Sequence, residues 1–190
     1  MSAPRPIPSH YDELYPTQAV EEGVRQVAAE ITPWAVDVLQ RTGEQVLAVC
    51  ILRGAVFFFS DLLQAVPVSI EATFCRCRGY VPNVNGGLAE RVAVEWSEAD
   101  FKGRHVLLID DICDTGRTMA HMRRFCVERG AVEVRAAVLV HRLLEQSVFS
   151  LDFAAFRYPG KEWLAGYGME DSSWHMNYPA IYRLRGSGEG

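Results

Sequence analysis

The chain has 190 residues, with 19 Lys and Arg against 24 Asp and Glu and a formal net charge of −5. This length fits one domain, and 49% hydrophobic with 23% charged residues argues against a disordered chain. The acidic balance disfavours a protein that coats nucleic acid, so we expect no nucleic-acid partner.

The two ends of the chain carry few apolar residues. Residues 1–12 are proline-rich and are expected to form an extended arm, and residues 186–190 are expected to form a flexible tail. The N terminus has no apolar h-region of a signal peptide. Dense apolar stretches such as residues 55–59 are far shorter than the roughly 18 residues of a membrane span. We therefore expect no membrane association.

Five cysteines, an odd number, lie mostly inside apolar patterns. This usage indicates reduced thiols and a cytoplasmic protein. Cys75 and Cys77 form the one close pair, and alternation along a strand would place both on one face. No His or Cys cluster in the sequence completes a zinc site around them.

Hydrophobic periodicity predicts helices and strands in alternation. In chain order the predicted elements are a helix over 17–41, a strand over 46–52, a helix over 56–65, a strand over 68–74, a turn-rich segment over 78–91, a strand over 106–109, a helix that Gly130 ends, and a strand over 132–140. Pro33 is expected to break or kink the first helix. Strand, turn, helix and strand in this order form a βαβ unit, so an α/β fold with a largely parallel sheet is predicted.

Residues 110–118, with the sequence Asp-Asp-Ile-Cys-Asp-Thr-Gly-Arg-Thr, follow a buried strand and precede a helix. Open α/β sheets bind ligands at this place. The hydroxyls of Thr115 and Thr118, with Gly116 and the N–H groups of a helix N terminus, can cradle a phosphate. Two adjacent carboxylates, Asp110 and Asp111, suit sugar hydroxyls or a hydrated Mg²⁺. Their co-occurrence favours a ligand site over a plain N-cap at Asp114.

The segment 110–118 resembles the phosphoribosyl diphosphate (PRPP) signature of type I phosphoribosyltransferases. Residues 50–55 and 57–62 resemble the strand, loop and helix of the hypoxanthine-guanine phosphoribosyltransferases. Residues 163–170, Trp-Leu-Ala-Gly-Tyr-Gly-Met-Glu, resemble the hood that binds the base in that family. The resemblance is collinear from about Val46 to Leu184.

The resemblance implies a central, largely parallel sheet flanked by helices, with a small hood formed by N- and C-terminal segments. It implies Mg²⁺-dependent transfer of the 5-phosphoribosyl group from PRPP to N9 of hypoxanthine or guanine, which gives IMP or GMP and pyrophosphate. A homodimer or homotetramer, with Arg53 near the subunit contact, is also expected.

The resemblance further implies a role for each matching residue of the PRPP site. Asp110 and Asp111 would bind the ribose hydroxyls, directly or through Mg²⁺, and Glu170 matches a metal-associated acid of the hood. Asp114 would be the catalytic residue that assists deprotonation at purine N7. The 5-phosphate would bind the backbone and hydroxyls of five residues, Asp114, Thr115, Gly116, Arg117 and Thr118.

The remaining implied roles concern pyrophosphate, the base and the loop that closes over them. The turn at Arg53 and Gly54 would present a backbone N–H to pyrophosphate, often through a non-proline cis peptide. The base would contact three residues, Arg142, Trp163 and Leu164, and the mobile loop would contain Gly79 and Tyr80.

Four positions depart from the family pattern. Arg142 replaces a Lys that donates to the 6-oxo group of the purine, and its planar fork needs a different approach. Glu170 replaces an Asp, Met176 replaces an Arg that helps bind pyrophosphate, and Gly79 replaces a Ser. These changes leave two alternatives open: a PRPP-sensing regulator of the same fold, or an enzyme that uses another base such as xanthine.

Overall fold

The computed structural model describes residues 6–78, 81–82, 88–89, 93–96, 99–144, 148–171 and 176–186, with the backbone alone from 78 to 96. Its elements are β1 (Tyr11–Tyr15), α1 (Thr17–Thr42), β2 (Val46–Leu52), α2 (Val56–Ala65), β3 (Ile70–Arg78), β4 (Val81–Pro82), β5 (Leu88–Ala89), β6 (Ala93–Trp96), β7 (His105–Cys113), α3 (Arg117–Glu128), β8 (Glu133–Arg142), β9 (Phe153–Tyr158), β10 (Leu164–Ala165) and β11 (Ile181–Leu184). Within these ranges no helix is both long enough and apolar enough to cross a membrane.

A six-stranded sheet in the order β6-β3-β2-β7-β8-β9 forms the centre of the molecule. Strands β3, β2, β7, β8 and β9 are parallel, and β6 joins β3 in the antiparallel sense. Helices α1 and α2 pack on one face, and α3 packs on the other. Because both faces are covered, six of the seven residues of β2 are buried. The predicted α/β fold with a largely parallel sheet is confirmed.

Strand β7 is longer than its apolar pattern predicts. The prediction ended at residue 109 and placed Asp110 and Asp111 in a turn, but both residues belong to the strand. Pairing with β8 continues to Cys113, opposite His141, so backbone hydrogen bonding carries the strand through the two aspartates that interrupt its apolar run. The two carboxylates are consequently held by the sheet itself.

Helix α1 continues through Pro33, so the predicted break is wrong, and the alternative, a kink at Pro33, stays a prediction. Buried residues lie on both sides of the proline, including Ile31, Trp34 and Val38. Packing of this apolar face stabilises the helix despite the hydrogen bond that proline cannot make. The helix ends at Gly43, whose positive φ of 74° allows its N–H to donate to the Leu39 carbonyl.

A second, three-stranded antiparallel sheet has the order β1-β11-β10 and joins the two ends of the chain. This sheet is the predicted hood, and its buried side includes Tyr11, Tyr178 and Tyr182. Tyr11, at the end of the predicted arm, is a strand residue of β1. Of the predicted tail, Gly186 lies within the described residues.

Candidate active site

The turn between β7 and α3 encloses a cavity of about 200 Å³ lined by Asp110 and residues 112–119. The turn ends at Gly116, the N-cap of α3, with a positive φ of 75°. A Cβ at Gly116 would lie 2.4 Å from the Cβ of Phe149, so the residue must be glycine for two reasons. The first N–H groups of a helix lack partners within the helix, so this cavity suits a phosphate.

Asp110 and Asp111 lie near the end of β7, beside the turn that follows β2. Burial and the neighbouring Asp111 raise the pKa of Asp110 well above its usual value, and burial raises the pKa of Asp111. Each carboxylate accepts a backbone hydrogen bond, Asp110 from the N–H of Asp111 and Asp111 from the N–H of Ile112. Ionising two buried carboxylates without partners is unfavourable, so a bound cation or hydroxyl donors would stabilise their charged form.

These two carboxylates fit Mg²⁺ in a particular way. The described residues contain no group of three or more His, Cys, Asp and Glu side chains that could enclose a metal ion. Mg²⁺ commonly uses one or two protein carboxylates and completes its coordination with water and substrate oxygens. Asp110 and Asp111 could therefore hold Mg²⁺ together with a phosphorylated substrate.

Gly54 brings the turn after β2 against Asp111. A Cβ at Gly54 would lie 1.9 Å from Oδ2 of Asp111, so the backbone approaches the carboxylate as no other residue would allow. The preceding Leu52–Arg53 peptide bond is cis, as the family resemblance leads one to expect. The structure therefore brings together the predicted pyrophosphate turn and the predicted ribose carboxylates.

A second cavity of about 260 Å³ lies between this turn and the hood. It shares Asp114 and Ile112 with the cavity of the β7–α3 turn, so the two cavities are adjacent. Its lining residues are Arg53, Gly54, Asp111, Ile112, Asp114, Arg142, Trp163, Leu164, Gly168, Met169 and Glu170. The side of the cavity formed by Trp163 is open, because this side chain is 57% exposed.

Arg142, at the end of β8, is a buried cation with three hydrogen bonds. Its Nε donates to Oδ1 of Asp114 at 2.5 Å, and its Nη1 donates to the carbonyls of Gly160 and Glu162 at 2.6 and 3.1 Å. The predicted catalytic acid and the predicted base-binding cation are thus an ion pair. Sequence analysis missed this pair. The register of β7 and β8 could have predicted this ion pair. Cys113 and His141 are paired across the two strands, and Asp114 and Arg142 directly follow them.

Arg53 and Glu170 form a second ion pair, with Nη2 2.7 Å from Oε1. It joins the turn after β2 to the hood, and sequence analysis also missed it. The Nε1 of Trp163 donates to the Glu170 carbonyl at 3.1 Å, which holds the indole beside the cavity. Glu170 therefore has a cationic partner here, and its role toward a metal stays a prediction.

The other predicted positions fall away from these two cavities or outside the described residues. Gly79 and Tyr80, predicted in the mobile loop, lie outside the described residues. The carbonyl of Met176 accepts a hydrogen bond from the N–H of Gly168 at 2.8 Å, so this residue supports a turn of the hood. A larger groove of about 720 Å³, lined by residues 141, 143–144, 148–154 and 157, contains none of the predicted site residues.

Comparisons with known proteins agree with this geometry. The phosphoribosyl transferase domain family matches residues 10–156. The hypoxanthine-guanine phosphoribosyltransferase of Streptococcus pneumoniae is 29% identical over 170 residues, which are 87% of this chain and 88% of that protein. The hypoxanthine-guanine-xanthine phosphoribosyltransferase of Tritrichomonas foetus is 26% identical over 176 residues, 92% of this chain and 91% of that protein.

A solved structure shows the same fold. The crystal structure of a hypoxanthine phosphoribosyltransferase from Staphylococcus aureus superimposes with a TM-score of 0.80 at 19% identity, over 94% of each chain. The matched family region covers most of the chain, including β7 and the turn that follows it. The chain therefore belongs to the phosphoribosyltransferase family, as a transferase of the type I fold.

Proposed function

We propose that this chain is a single-domain purine-salvage enzyme that transfers the 5-phosphoribosyl group from PRPP to N9 of hypoxanthine or guanine. The products would be IMP or GMP and pyrophosphate. The observation that carries the proposal is the adjacency of the two cavities, one suited to a phosphate and one beneath the hood, which share Asp114. A ribose phosphate in the first and a base in the second would meet beside this carboxylate.

The PRPP side of the site uses the turn and the end of β7. The N terminus of α3 and the hydroxyls of Thr115 and Thr118 would bind the 5-phosphate. Asp110 and Asp111 would bind the ribose hydroxyls and hold Mg²⁺, which would stabilise negative charge on the departing pyrophosphate. The turn at Arg53 and Gly54 lines the adjoining cavity and would bind the pyrophosphate itself.

The base side of the site uses Arg142, Trp163 and Leu164. Among the described residues, the hydrogen bonds of Arg142 use Nε and Nη1, which leaves Nη2 as a donor to the 6-oxo group of a purine. The exposed indole of Trp163 would stack on the base, and the Leu164 backbone would contact its edge. A 6-amino purine would present a donor to a donor, so the site favours 6-oxopurines.

The chemical step would break the bond between the anomeric carbon and pyrophosphate and form the bond to N9. As N9 attacks, the base must lose the proton carried at N7, and Asp114 would accept it. Arg142 holds the Asp114 carboxylate in place through the 2.5 Å hydrogen bond. Positive charge that develops on the ribose would lie near Asp110, Asp111 and Asp114, which would stabilise it.

Pyrophosphate release from PRPP and Mg²⁺ with hypoxanthine, guanine, xanthine, adenine and uracil in parallel tests this proposal. We expect rapid release with hypoxanthine or guanine and little with adenine or uracil. Release with xanthine as well would match the activity named for the Tritrichomonas foetus relative. Tight PRPP binding without release with any base would instead indicate a PRPP-sensing regulator.

We also propose a cytoplasmic homodimer or homotetramer. Three apolar side chains near the start of α2 and on β3, Val56, Phe57 and Phe74, are 38%, 38% and 40% exposed and lie in the part of the chain that includes Arg53. A subunit contact would bury exposed apolar side chains of this kind. All five cysteines are free thiols, which suits a reducing compartment. Sedimentation equilibrium at micromolar concentration would give a mass above the 21.3 kDa of one chain.

A further inference from the structure

Three sulfur-containing side chains lie close together beneath α3, outside the cavities described above. Cys75 and Cys77 alternate along β3 and so project from the same face of the sheet. The neighbouring Cys77 thiol and burial both raise the pKa of the Cys75 thiol. The Sγ of Cys77 in turn lies 3.4 Å from the Sδ of Met122, on the helix that covers this face.

The three residues differ in burial, and this difference decides where a small ion could reach their sulfur atoms. Met122 is 0% and Cys75 is 1% exposed, whereas Cys77 is only partly buried. A small ion could therefore reach the cluster at Cys77 and be enclosed by the other two sulfurs. Cys50 and Cys126 are also buried and free, but no hydrogen bond within the described residues joins either thiol to another sulfur. Those two thiols pack as small apolar groups.

The donor set selects the kind of ion. Two thiols and one thioether are soft ligands, which favour Cu(I) over the harder divalent ions. A structural Zn²⁺ needs four nitrogen, oxygen or thiolate ligands, and the described residues offer no group of even three. With metal–sulfur bonds of about 2.3 Å, three sulfurs around a trigonal ion lie about 4 Å apart. The observed sulfur contact of 3.4 Å needs only a small expansion to reach this spacing.

We propose that Cys75, Cys77 and Met122 form a three-sulfur binding site for a soft monovalent cation of the Cu(I) class. On binding, each thiol releases one proton and the thioether donates a lone pair, so two protons leave for each Cu(I) taken up and no electron is transferred. The three residues line neither cavity of the proposed phosphoribosyl transfer, so this proposal does not rest on that function. Metal in this position would join β3 to α3.

Competition against a chromophoric Cu(I) chelator, with the reduced full-length protein under anaerobic conditions, tests this site. We expect uptake of one Cu(I) for each chain. The Cys77→Ser variant should bind about a hundredfold more weakly, and Met122→Leu about tenfold, because each lacks one direct ligand. Met122→Leu preserves side-chain volume, so this variant remains informative even if Cys77→Ser does not fold.

The matched control is Cys126→Ala, which removes another buried thiol from the same helix as Met122. It should bind Cu(I) with unchanged affinity and stoichiometry. Equal affinity in the wild type, Cys77→Ser and Met122→Leu would overturn the proposal. Loss of binding in Cys126→Ala as large as in Cys77→Ser would also overturn it, because binding would then depend on thiols in general.

Discussion

Asp114 and Arg142 form an ion pair because they follow directly after Cys113 and His141, which are register partners on β7 and β8. The two side chains differ in environment, since that of Arg142 is 8% exposed and that of Asp114 is 53% exposed. A buried guanidinium with three acceptors is fixed in position, while the open carboxylate can face a ligand. The main effect of the pair is therefore that Arg142 holds the Asp114 carboxylate in position, and its contribution to stability is secondary.

Replacing Arg142 separates these roles. We expect Arg142→Met to lower kcat/KM for hypoxanthine by about 10²-fold or more, because the base loses a donor and Asp114 loses its positioning partner. Stability should fall by about 1–3 kcal/mol, because two backbone carbonyls lose a buried donor. Arg142→Lys keeps the positive charge but lacks the planar guanidinium. Its kcat/KM and its stability should therefore lie between those of the wild type and Arg142→Met.

Steady-state kinetics with each substrate varied in turn, together with urea unfolding, would measure these effects. KM for the base should rise more than KM for PRPP. A uniform loss for both substrates would contradict the role assigned to Arg142.

The Arg53–Glu170 pair is different, because both side chains are well exposed, at 54% and 39%. Exposed ion pairs of this kind contribute about 0–1 kcal/mol to stability, so this pair matters for its position. It joins the proposed pyrophosphate turn to the hood. Neither this pair nor the Asp114–Arg142 pair follows from spacing along the chain, since the partners are 117 and 28 residues apart.

Among the elements, the apolar pattern predicts some bounds and misses others. The predicted bounds of β2 and α2 agree with the structure, because the uninterrupted apolar run of β2 ends at a turn and Pro67 closely follows the end of α2. The end of β7 was not predicted, since pairing with β8 carries the strand through Asp110 and Asp111, where the uninterrupted apolar run stops. Likewise α1 passes Pro33, because packing on both sides outweighs the local cost.

The turn into α3 gives a direct test of the phosphate cavity. Gly116→Ala places a side chain at a positive φ and 2.4 Å from Cβ of Phe149, so the turn must shift. We expect a loss of stability of about 2–4 kcal/mol and at least about tenfold weaker PRPP binding. Gly43→Ala is the matched control, because φ there is 74° and a Cβ would have no neighbour within 4 Å.

Gly43→Ala should cost about 1–2 kcal/mol from backbone conformation alone and leave PRPP binding unchanged. Isothermal titration with PRPP and Mg²⁺ and thermal unfolding would measure both effects. Equal PRPP affinity in the two variants would contradict a phosphate site at this turn.

For the whole molecule, the arrangement of two sheets would separate the two proposed substrates. The large sheet carries the residues proposed to bind PRPP, whereas Leu164 lies in the hood, whose strands come from both ends of the chain. The resemblance implied such a hood, but local patterning could not, because β1 and β11 are more than 160 residues apart and neither predicts its partner. The proposed base binding would thus depend on contacts between the two ends of the chain.

Truncation tests this separation. Deleting residues 1–15 removes β1 and leaves β11 with an open edge, so Leu164 and the hood lose support. We expect KM for hypoxanthine to rise by about tenfold or more while PRPP affinity changes little. Deleting only residues 1–5, which precede every element, should change neither quantity. A parallel loss of PRPP affinity in the longer deletion would contradict the separation.

The proposed phosphoribosyl transfer, with Asp114 as the proton acceptor, is tested most directly by comparing the wild type with Asp114→Asn. Both proteins are given PRPP, Mg²⁺ and hypoxanthine, and pyrophosphate and IMP are measured in the same samples. Asn keeps the size and can still accept a hydrogen bond from Arg142, but it cannot take up a proton from the base. We expect equal amounts of IMP and pyrophosphate from the wild type. In the variant we expect turnover lower by about 10²–10⁴-fold, with PRPP binding retained. Unchanged turnover in Asp114→Asn, or no IMP from the wild type, would contradict this proposal.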